Sequence, residues 1–143
     1  ATIRHPHGNC TLFVTHMQSG GERLEEVRFA QAKEIAEFIK GNGKAVFLGD
    51  TNADADERKK MLDTIGATPV TLKGPLKFTY NTQENELAAN EGPKGAMQNI
   101  DVIATLNTSH WSYGGAYGEI VASKFGIQVS DHELLRATVT IST

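Results

Sequence analysis

Four polar clusters carry the residues of this chain whose types and spacing could do chemistry. They are Thr15-His16, Gly49-Asp50-Thr51-Asn52, Asn99-Ile100-Asp101 and Ser130-Asp131-His132. Each cluster lies at the end of a short apolar run, and the loops and ends of strands are where catalytic groups are commonly mounted. Imidazoles and carboxylates exchange protons near neutral pH and bind metal ions. One such cluster is a weak signal, but four in one chain indicate a common site.

Asp101 and His132 are the first pair to consider. Asp101 lies inside an apolar run, and burying a carboxylate without a partner is costly. His132 is a candidate partner, and a hydrogen bond to Asp101 would fix the tautomer of the imidazole and make it more basic. The alternatives are that Asp101 pairs with Arg4 or Arg136, or that it lies on an exposed face.

Asp50 and Asn52 follow a run that is typical of a central strand, and His16 follows another. In an extended chain alternate side chains share a face, so Asp50 and Asn52 would point into one site. There they could orient a water molecule and bind a phosphoryl oxygen. The alternative is that both residues turn the chain into the next helix. His16 gains interest from its position at a strand end, although a lone histidine is more often structural.

Other polar groups have simpler interpretations. His5 and His7 have a spacing that could serve a metal ion, but Pro6 and Gly8 favour an exposed turn. The acidic residues of segment 54–57 resemble a calcium loop only superficially, because the required glycine and distant glutamate are lacking. They are better explained as acids at a helix start. Trp111, Tyr113 and Tyr117, near several glycines, predict either a substrate or membrane-facing loop or a packed edge.

The apolar spacing predicts the elements that position these residues. We expect strands over 11–15, 45–49, 100–105 and 134–141 and helices over 22–40 and 56–65, with a short strand over 120–122. Residues 73–98 are mainly polar with one strand-like piece at 78–80, and 114–118 predicts a loop or a bulged hairpin. Strands and helices in this order indicate α/β or α+β layers.

Bulk properties place the chain among ordinary globular domains. Its 143 residues favour a single domain, and a net charge of −3 provides no basic surface for nucleic acid. No apolar run approaches the roughly 20 residues of a membrane-spanning helix. Cys10 is the sole cysteine, so an internal disulfide is impossible.

Taken in order, the four clusters resemble the endonuclease/exonuclease/phosphatase superfamily, the metal-dependent phosphoesterases of the DNase I type. Within it the chain is most similar to neutral sphingomyelinase-like members. That likeness rests on Thr15-His16-Met17-Gln18, Arg28-Phe29-Ala30-Gln31, Thr79-Tyr80-Asn81 and Asn85-Glu86-Leu87-Ala88. A nuclease of the same superfamily is the alternative within this class, and the absence of a basic patch disfavours it slightly.

The resemblance implies a role for each matching residue. The implied catalytic set is His132, Asp101, His16, Asp50 and Asn52, and the implied metal region is Asp131 and Asp50. His132 would be the general base that activates the attacking water, and Asp101 would orient it. Asp50 and Asn52 would orient the nucleophile and contact the phosphate, while His16 would bind or protonate phosphate oxygens. A Mg²⁺-type ion would neutralise phosphate charge.

The resemblance also implies a fold that this chain fills only in part. Residues 1–143 would be the C-terminal half of a four-layer α/β/β/α sandwich of the DNase I-like type. The metal-binding glutamate would come from an N-terminal half, supplied by a longer precursor or by a partner chain. Without it we expect an apolar, uncovered sheet face. A sphingomyelinase-like protein would be secreted or exposed at the cell surface, and a non-catalytic binding or assembly module of this fold is the alternative to an enzyme.

Overall fold

The computed structural model describes residues 1–6, 8–42, 44–75, 77–106, 111–119 and 128–141, with backbone alone at 111–119 and 141. The strands in this part are β1 (Thr2–Ile3), β2 (Cys10–His16), β3 (Ala45–Asp50), β4 (Ala67–Pro69), β5 (Leu72–Lys73), β6 (Tyr80–Asn81), β7 (Met97–Gln98), β8 (Asp101–Leu106), β9 (Trp111–Glu119) and β10 (Leu134–Ile141). The α-helices are α1 (Glu25–Ile39), which follows a 3-10 helix at Gly21–Leu24, α2 (Ala55–Ile65) and α3 (Glu86–Glu91). None of these helices is long and apolar enough to cross a membrane.

The larger sheet brings three of the four polar clusters to one end. Its strand order is β1-β2-β3-β8-β4, with β2 and β3 parallel and the other neighbours antiparallel. In this register His16 lies opposite Asp50, and Asp50 lies opposite Asp101. Three residues that are far apart in sequence therefore stand side by side across β2, β3 and β8.

Gly49 allows β2 and β3 to approach closely just before that end. Its φ of 149° lies in a region that side chains other than glycine rarely adopt. A Cβ atom at this position would collide with the carbonyl oxygen of Thr15 on β2. The close approach thus requires glycine immediately before Asp50.

The main core lies between the larger sheet and the helices. Its fully buried members include Ala32, Phe47, Met61, Leu62 and Ala104. The core residues of this layer alternate along β3 and β8 and follow the helical period along α1 and α2. This spacing is expected where each element buries one face.

A buried ion pair joins α1 to α2 within this layer. Arg28, only 1% exposed, donates from Nε to Glu57 Oε1 at 2.5 Å and from Nη2 to Glu57 Oε2 at 2.8 Å. Two further N–H groups donate to the carbonyl oxygens of Gln18 and Gly21 at 3.1 and 2.9 Å. Glu57 is therefore more than an acid at a helix start, whereas Asp54 does cap α2 by accepting from the Glu57 amide at 2.9 Å.

A second sheet, with strand order β10-β9-β5, packs on the other face of the first. Between the sheets lies a smaller cluster of Cys10, Val46, Val70 and Ile103, against which Leu135 and Ala137 of β10 also pack. The described residues thus form α/β/β layers, and the predicted α/β fold class is confirmed.

The expected uncovered apolar surface lies toward the β2 side of the cleft between the sheets. Cys10 and Leu12 belong to the inter-sheet cluster, but Val14, two residues further along β2, is 74% exposed. The outward residues of β10 include Arg136 and Thr138 and are mainly polar. Among the side chains that the structure describes on this cleft, Val14 and Ile3 are the exposed apolar ones on its β1–β2 side.

The predicted elements agree with the structure over β2, β3, β8, β10, α1 and α2, and differ from it at β1, at β9 and over residues 67–98. β10 spans the predicted 134–141, whereas α1 begins at Glu25, three residues later than predicted. The prediction missed β1, β4, β5, β7 and α3 because they are only 2–6 residues long. Residues 114–118, predicted as a loop or a bulged hairpin, lie instead within the single strand β9, and only the bulge is seen, as a register shift between Ala137 and Val139 in its pairing with β10. His7, the strand predicted at 120–122 and the side chains of Trp111, Tyr113 and Tyr117 lie outside the described part.

Candidate active site

His132 and Asp101 form the pair at the centre of the site. The Nδ1 atom of His132 lies 2.7 Å from Oδ2 of Asp101, at hydrogen-bonding distance. The His132 ring also lies against the ring of Tyr80, with centroids 5.3 Å apart. The two alternatives for Asp101, an arginine partner and an exposed face, do not describe this geometry. The partner of its carboxylate oxygen is the imidazole of His132.

The surroundings of His132 make it more basic. Its pKa is raised above the ordinary 6.5, chiefly by the hydrogen bond to Asp101, while partial burial acts in the opposite direction. The negative charges of Asp50 and Asp131 add smaller increases. Because Asp101 holds Nδ1, the Nε2 atom remains for proton transfer, and it lies 3.8 Å from Oδ2 of Asp50.

The two carboxylate oxygens of Asp50 have different contacts: one lies near His132 and His16, and the other accepts a backbone hydrogen bond. Its Oδ1 accepts the Asn52 amide hydrogen at 2.7 Å, while Oδ2 lies 3.4 Å from Nε2 of the exposed His16. Partial burial is the main cause that raises the pKa of Asp50, and the hydrogen bond from Asn52 opposes it. Asp50 therefore serves a turn and presents a carboxylate oxygen at once.

Asn52 reaches the site by a different backbone route from the predicted one. The expectation of alternate side chains on an extended strand is wrong, since β3 ends at Asp50 and Asn52 has a left-handed φ of 49°. Its side-chain Nδ2 donates to the Met17 carbonyl at 2.9 Å, which ties the loop after β3 to the loop after β2. The turn interpretation thus holds for Asn52, while its amide oxygen stays available.

Thr79 forms hydrogen bonds to the backbone beside both Asp101 and His132. Its buried Oγ1 accepts the amide hydrogens of Ile100 and Asp101, both at 3.0 Å. Its carbonyl oxygen accepts the amide hydrogen of Glu133, next to His132, at 2.8 Å. One residue thereby fixes the backbone beside both Asp101 and His132. The sequence pattern missed this role, although Thr79 stands in a segment that carries the family resemblance.

The loop before His132 is tied to the start of α3. Asn85 donates from Nδ2 to the Ser130 carbonyl at 3.0 Å, and its Oδ1 accepts the first amides of α3, at Leu87 and Ala88. Ser130 Oγ in turn accepts the His132 amide hydrogen at 3.1 Å. These contacts leave the backbone of His132 little freedom and so fix the position of its imidazole.

We expect Thr79→Val to destabilise the protein and to loosen the pair. Valine keeps the shape but leaves two buried amides without an acceptor, which lowers the free energy of unfolding by about 1–3 kcal/mol. The pKa of His132, followed by NMR titration, should fall toward its ordinary value as the bond to Asp101 weakens. Thr79→Ser should restore both quantities, and Thr64→Val, on the exposed face of α2, serves as the control. An unchanged His132 pKa in Thr79→Val would reduce Thr79 to a packing residue.

Some of the side-chain atoms at this end of the sheet could bind a hard cation such as Mg²⁺. Ligand atoms of Asp50, Asp101 and His132 lie within 4.8 Å of one another. Asp101 and His132 are bound to each other, so the Asp50 carboxylate is the member left to meet an ion. Magnesium ions commonly use one or two protein carboxylates and keep water for the rest. Asp131 does not join this group within the described residues, and its predicted role as a ligand stays a prediction.

A cavity of about 330 Å³ opens beside the pair. Asp101, Ser130 and His132 line its polar part, and Leu48 and Leu134 contribute to its apolar part. A ligand in this cavity would meet the base and the apolar surface together.

The fold and the site define a class: the chain has the fold of the DNase I-like, or endonuclease/exonuclease/phosphatase, superfamily, and the resemblance seen in the sequence is confirmed. Neither a family model nor a curated protein matches the chain in sequence.

Among solved structures, the beta toxin of Staphylococcus aureus is 25% identical with a TM-score of 0.76, and the match covers 96% of this chain and 55% of that one. A mutant of that toxin with bound magnesium ions is 24% identical, with a TM-score of 0.74 and 99% and 56% of the two chains covered. Sphingomyelinase C from Streptomyces griseocarneus is 18% identical, with a TM-score of 0.72 and 99% and 56% covered. TDP2 from D. rerio, complexed with a single-strand DNA product, is 18% identical, with a TM-score of 0.74 and 97% and 59% covered. The chain thus spans between 55% and 59% of the length of these structures.

Proposed function

We propose that this chain carries the base-bearing part of a metal-dependent phosphoric-ester hydrolase. The observation that supports this most directly is the 2.7 Å contact between His132 Nδ1 and Asp101 Oδ2, with Nε2 facing Asp50. A histidine held in this way has one nitrogen free to accept a proton near neutral pH. The similarity to a sphingomyelinase and to TDP2 points to phosphoesters as the substrates.

The proposed reaction assigns one proton and one bond to these groups. His132 accepts a proton from water at Nε2 while the water oxygen attacks phosphorus. The bond between phosphorus and the leaving oxygen breaks, the leaving oxygen takes up a proton from solvent, and Asp101 stabilises the imidazolium that forms. His16 and the second N–H of the Asn52 side chain, whose first N–H donates to the Met17 carbonyl, contact the phosphoryl oxygens. A divalent cation, magnesium by similarity to the toxin with bound magnesium, would be held by Asp50 with Asp131 nearby and would offset the charge of the phosphate.

For the substrate we propose a sphingomyelinase-like phosphodiester. The apolar wall formed by Leu48 and Leu134 beside His132 supports a substrate with an apolar body. A net charge of −3 does not favour a polyanion such as nucleic acid. An endonuclease of the same superfamily is the outcome to distinguish, because TDP2 of similar fold was solved with DNA.

We further propose that a polypeptide segment outside this chain completes the site. A cleft of about 670 Å³ between the two sheets is lined by apolar residues, among them Leu12, Val46 and Val139. Val14 and Ile3, near its β1–β2 side, are 74% and 48% exposed. Since the chain spans little more than half of the structures it matches, an N-terminal half would have a surface to cover here. That half, as a partner chain or in a longer precursor, would supply further metal ligands.

We expect hydrolysis that depends on a divalent cation and is greater with the completing segment than without it. The assay uses sphingomyelin vesicles and, separately, a single-stranded oligonucleotide, each with magnesium, with chelator and after magnesium is restored. Chelation should reduce the rate to background, since the Asp50 carboxylate is itself negative and cannot offset the phosphate charge without a bound cation. Lys59→Ala, an exposed change on α2, should behave as wild type.

Each arm of this assay has an outcome that contradicts part of the proposal. Equal rates with and without chelator would refute metal dependence. Cleavage of the oligonucleotide with intact sphingomyelin would replace the lipid substrate by nucleic acid. No hydrolysis of either substrate by the complete protein would favour a non-catalytic binding module of this fold.

A further inference from the structure

Arg58 is a half-buried cation at the edge of the site that no part of the proposed reaction uses. It extends from the first half of α2 into a cavity of about 180 Å³, which Asn99 and Asp101 also line. Within the part of the chain that the structure describes, its guanidinium makes no hydrogen bond and no ion pair. Its neighbours on the helix differ, since Lys59 pairs with Asp63 and Lys60 with Glu25 at the exposed surface.

An unpaired guanidinium in such a place is costly unless an anion meets it. Burial is the main cause that lowers the pKa of Arg58, and the more distant charges of Asp54 and Asp101 only partly offset it. Asp101 is not its partner within the described residues, because no ion pair joins the two side chains and Oδ2 of Asp101 accepts a hydrogen bond from His132. The Arg58 guanidinium therefore lines a cavity with an amide and a carboxylate, and none of its five N–H donors is bonded to an acceptor among the described residues.

We propose that Arg58, with Asn99 beside it, binds an oxygen of the substrate's phosphoryl group from the α2 side of Asp101. The fork of a guanidinium matches two oxygens of a phosphate, whereas the ammonium of a lysine acts as a point charge. Asp101 lines both this cavity and the one beside His132. A phosphate held by Arg58 therefore lies next to the His132–Asp101 pair. This inference deepens the proposed function and rests on its phosphoester substrate.

The first test measures binding without catalysis. Inorganic phosphate is titrated into the full chain, and the NMR signals of the Arg58 side chain and the Asn99 amide are followed. We expect saturable shifts at both groups in wild type and an affinity at least about tenfold weaker in Arg58→Ala, as expected for a charge-assisted hydrogen bond. Arg58→Lys should fall between the two. Lys59→Ala, one residue away, is the matched control and should bind as wild type.

Several results would overturn the inference. It fails if phosphate causes no shift at Arg58 in wild type, or if Arg58→Ala keeps its affinity. It also fails if Lys59→Ala loses as much affinity as Arg58→Ala, because the effect would then be general surface charge. Thermal unfolding of each variant separates loss of binding from loss of fold.

The second test uses the active protein and distinguishes binding from an effect transmitted through Asp101. If Arg58 binds substrate, Arg58→Ala raises KM at least about tenfold and leaves the pH profile of kcat in place. A shifted pH profile with an unchanged KM would instead show that Arg58 acts on the His132–Asp101 pair, and would refute the binding role. If the protein hydrolyses phosphoesters but Arg58→Ala is silent, this inference fails and the proposed function stands. If phosphate binding depends on Arg58 but no hydrolysis occurs, the reverse holds.

Discussion

Replacing His132 with alanine is expected to lower kcat by about 10²–10⁴-fold, the usual contribution of a general base. The structure gives the reason, since the Nε2 atom is the one site nitrogen that is both oriented by Asp101 and close to Asp50. Steady-state kinetics on a phosphodiester with magnesium present is the measurement. KM should change little, because the lost group acts on the attacking water rather than on the bound phosphate.

The pH dependence supplies an independent check on the same residue. A base must be neutral to accept a proton, and the pKa of His132 is raised above 6.5. The rate should therefore rise with pH through a value above 6.5 and level off once His132 is deprotonated. In Asp101→Asn the chief cause of the increase is removed, so the midpoint should move to lower pH while the plateau falls.

Two results would contradict this role for His132. One is a His132→Ala variant that retains most of its kcat. The other is a pH midpoint that does not move in Asp101→Asn. The exposed histidine His16, which lies 3.4 Å from Asp50, provides a comparison. His16→Ala should affect KM more than the pH midpoint, since its proposed contact is with phosphate oxygens.

The second large effect concerns stability rather than chemistry. Glu57→Gln is expected to lower the free energy of unfolding by about 3–5 kcal/mol, because Arg28 would remain buried without its counter-charge. Arg28 is 1% exposed, and two of its nitrogens contact the Glu57 carboxylate. Chemical denaturation followed by circular dichroism measures the change.

The matched controls separate a buried pair from an exposed one. Asp63→Asn breaks the pair with Lys59 at the surface of α2 and should change stability little. Replacing both members, as Arg28→Met with Glu57→Leu, should cost less than Glu57→Gln alone, since no unpaired charge is left inside. A loss no larger in Glu57→Gln than in Asp63→Asn would show that water reaches Arg28 readily.

Strong local patterns made the framework predictable. β3 and β10 combine apolar or alternating residues with clear ends, and α2 begins at the Asp54 cap and ends at Gly66 in a left-handed conformation. The polar stretch before β8 did not yield its elements. α3 has six residues and depends on the Asn85 side chain for its start, which gives too little periodicity to recognise.

The site shows the same division between local and distant information. The pairing of Asp101 with His132 followed from the cost of burying a carboxylate alone, and it was one of the alternatives weighed in the sequence. The left-handed turn at Asn52 could not be foreseen, because it depends on a bond to Met17 from another strand end. Thr79, Glu57 and Arg58 were missed for a related reason. Their importance arises from partners or cavities that only the folded chain creates.

The steric demand at Gly49 has a consequence for sequence divergence. Positions such as His16 and Asp50 can drift if the activity is lost, because their side chains face the site rather than the core. Gly49 cannot, since any Cβ would push β2 away from β3 whether or not the protein is an enzyme. Among distant descendants of this fold, the glycine should therefore outlast the aspartate that follows it. A relative that keeps both Gly49 and Asp50 has kept a residue of the candidate site as well as the fold.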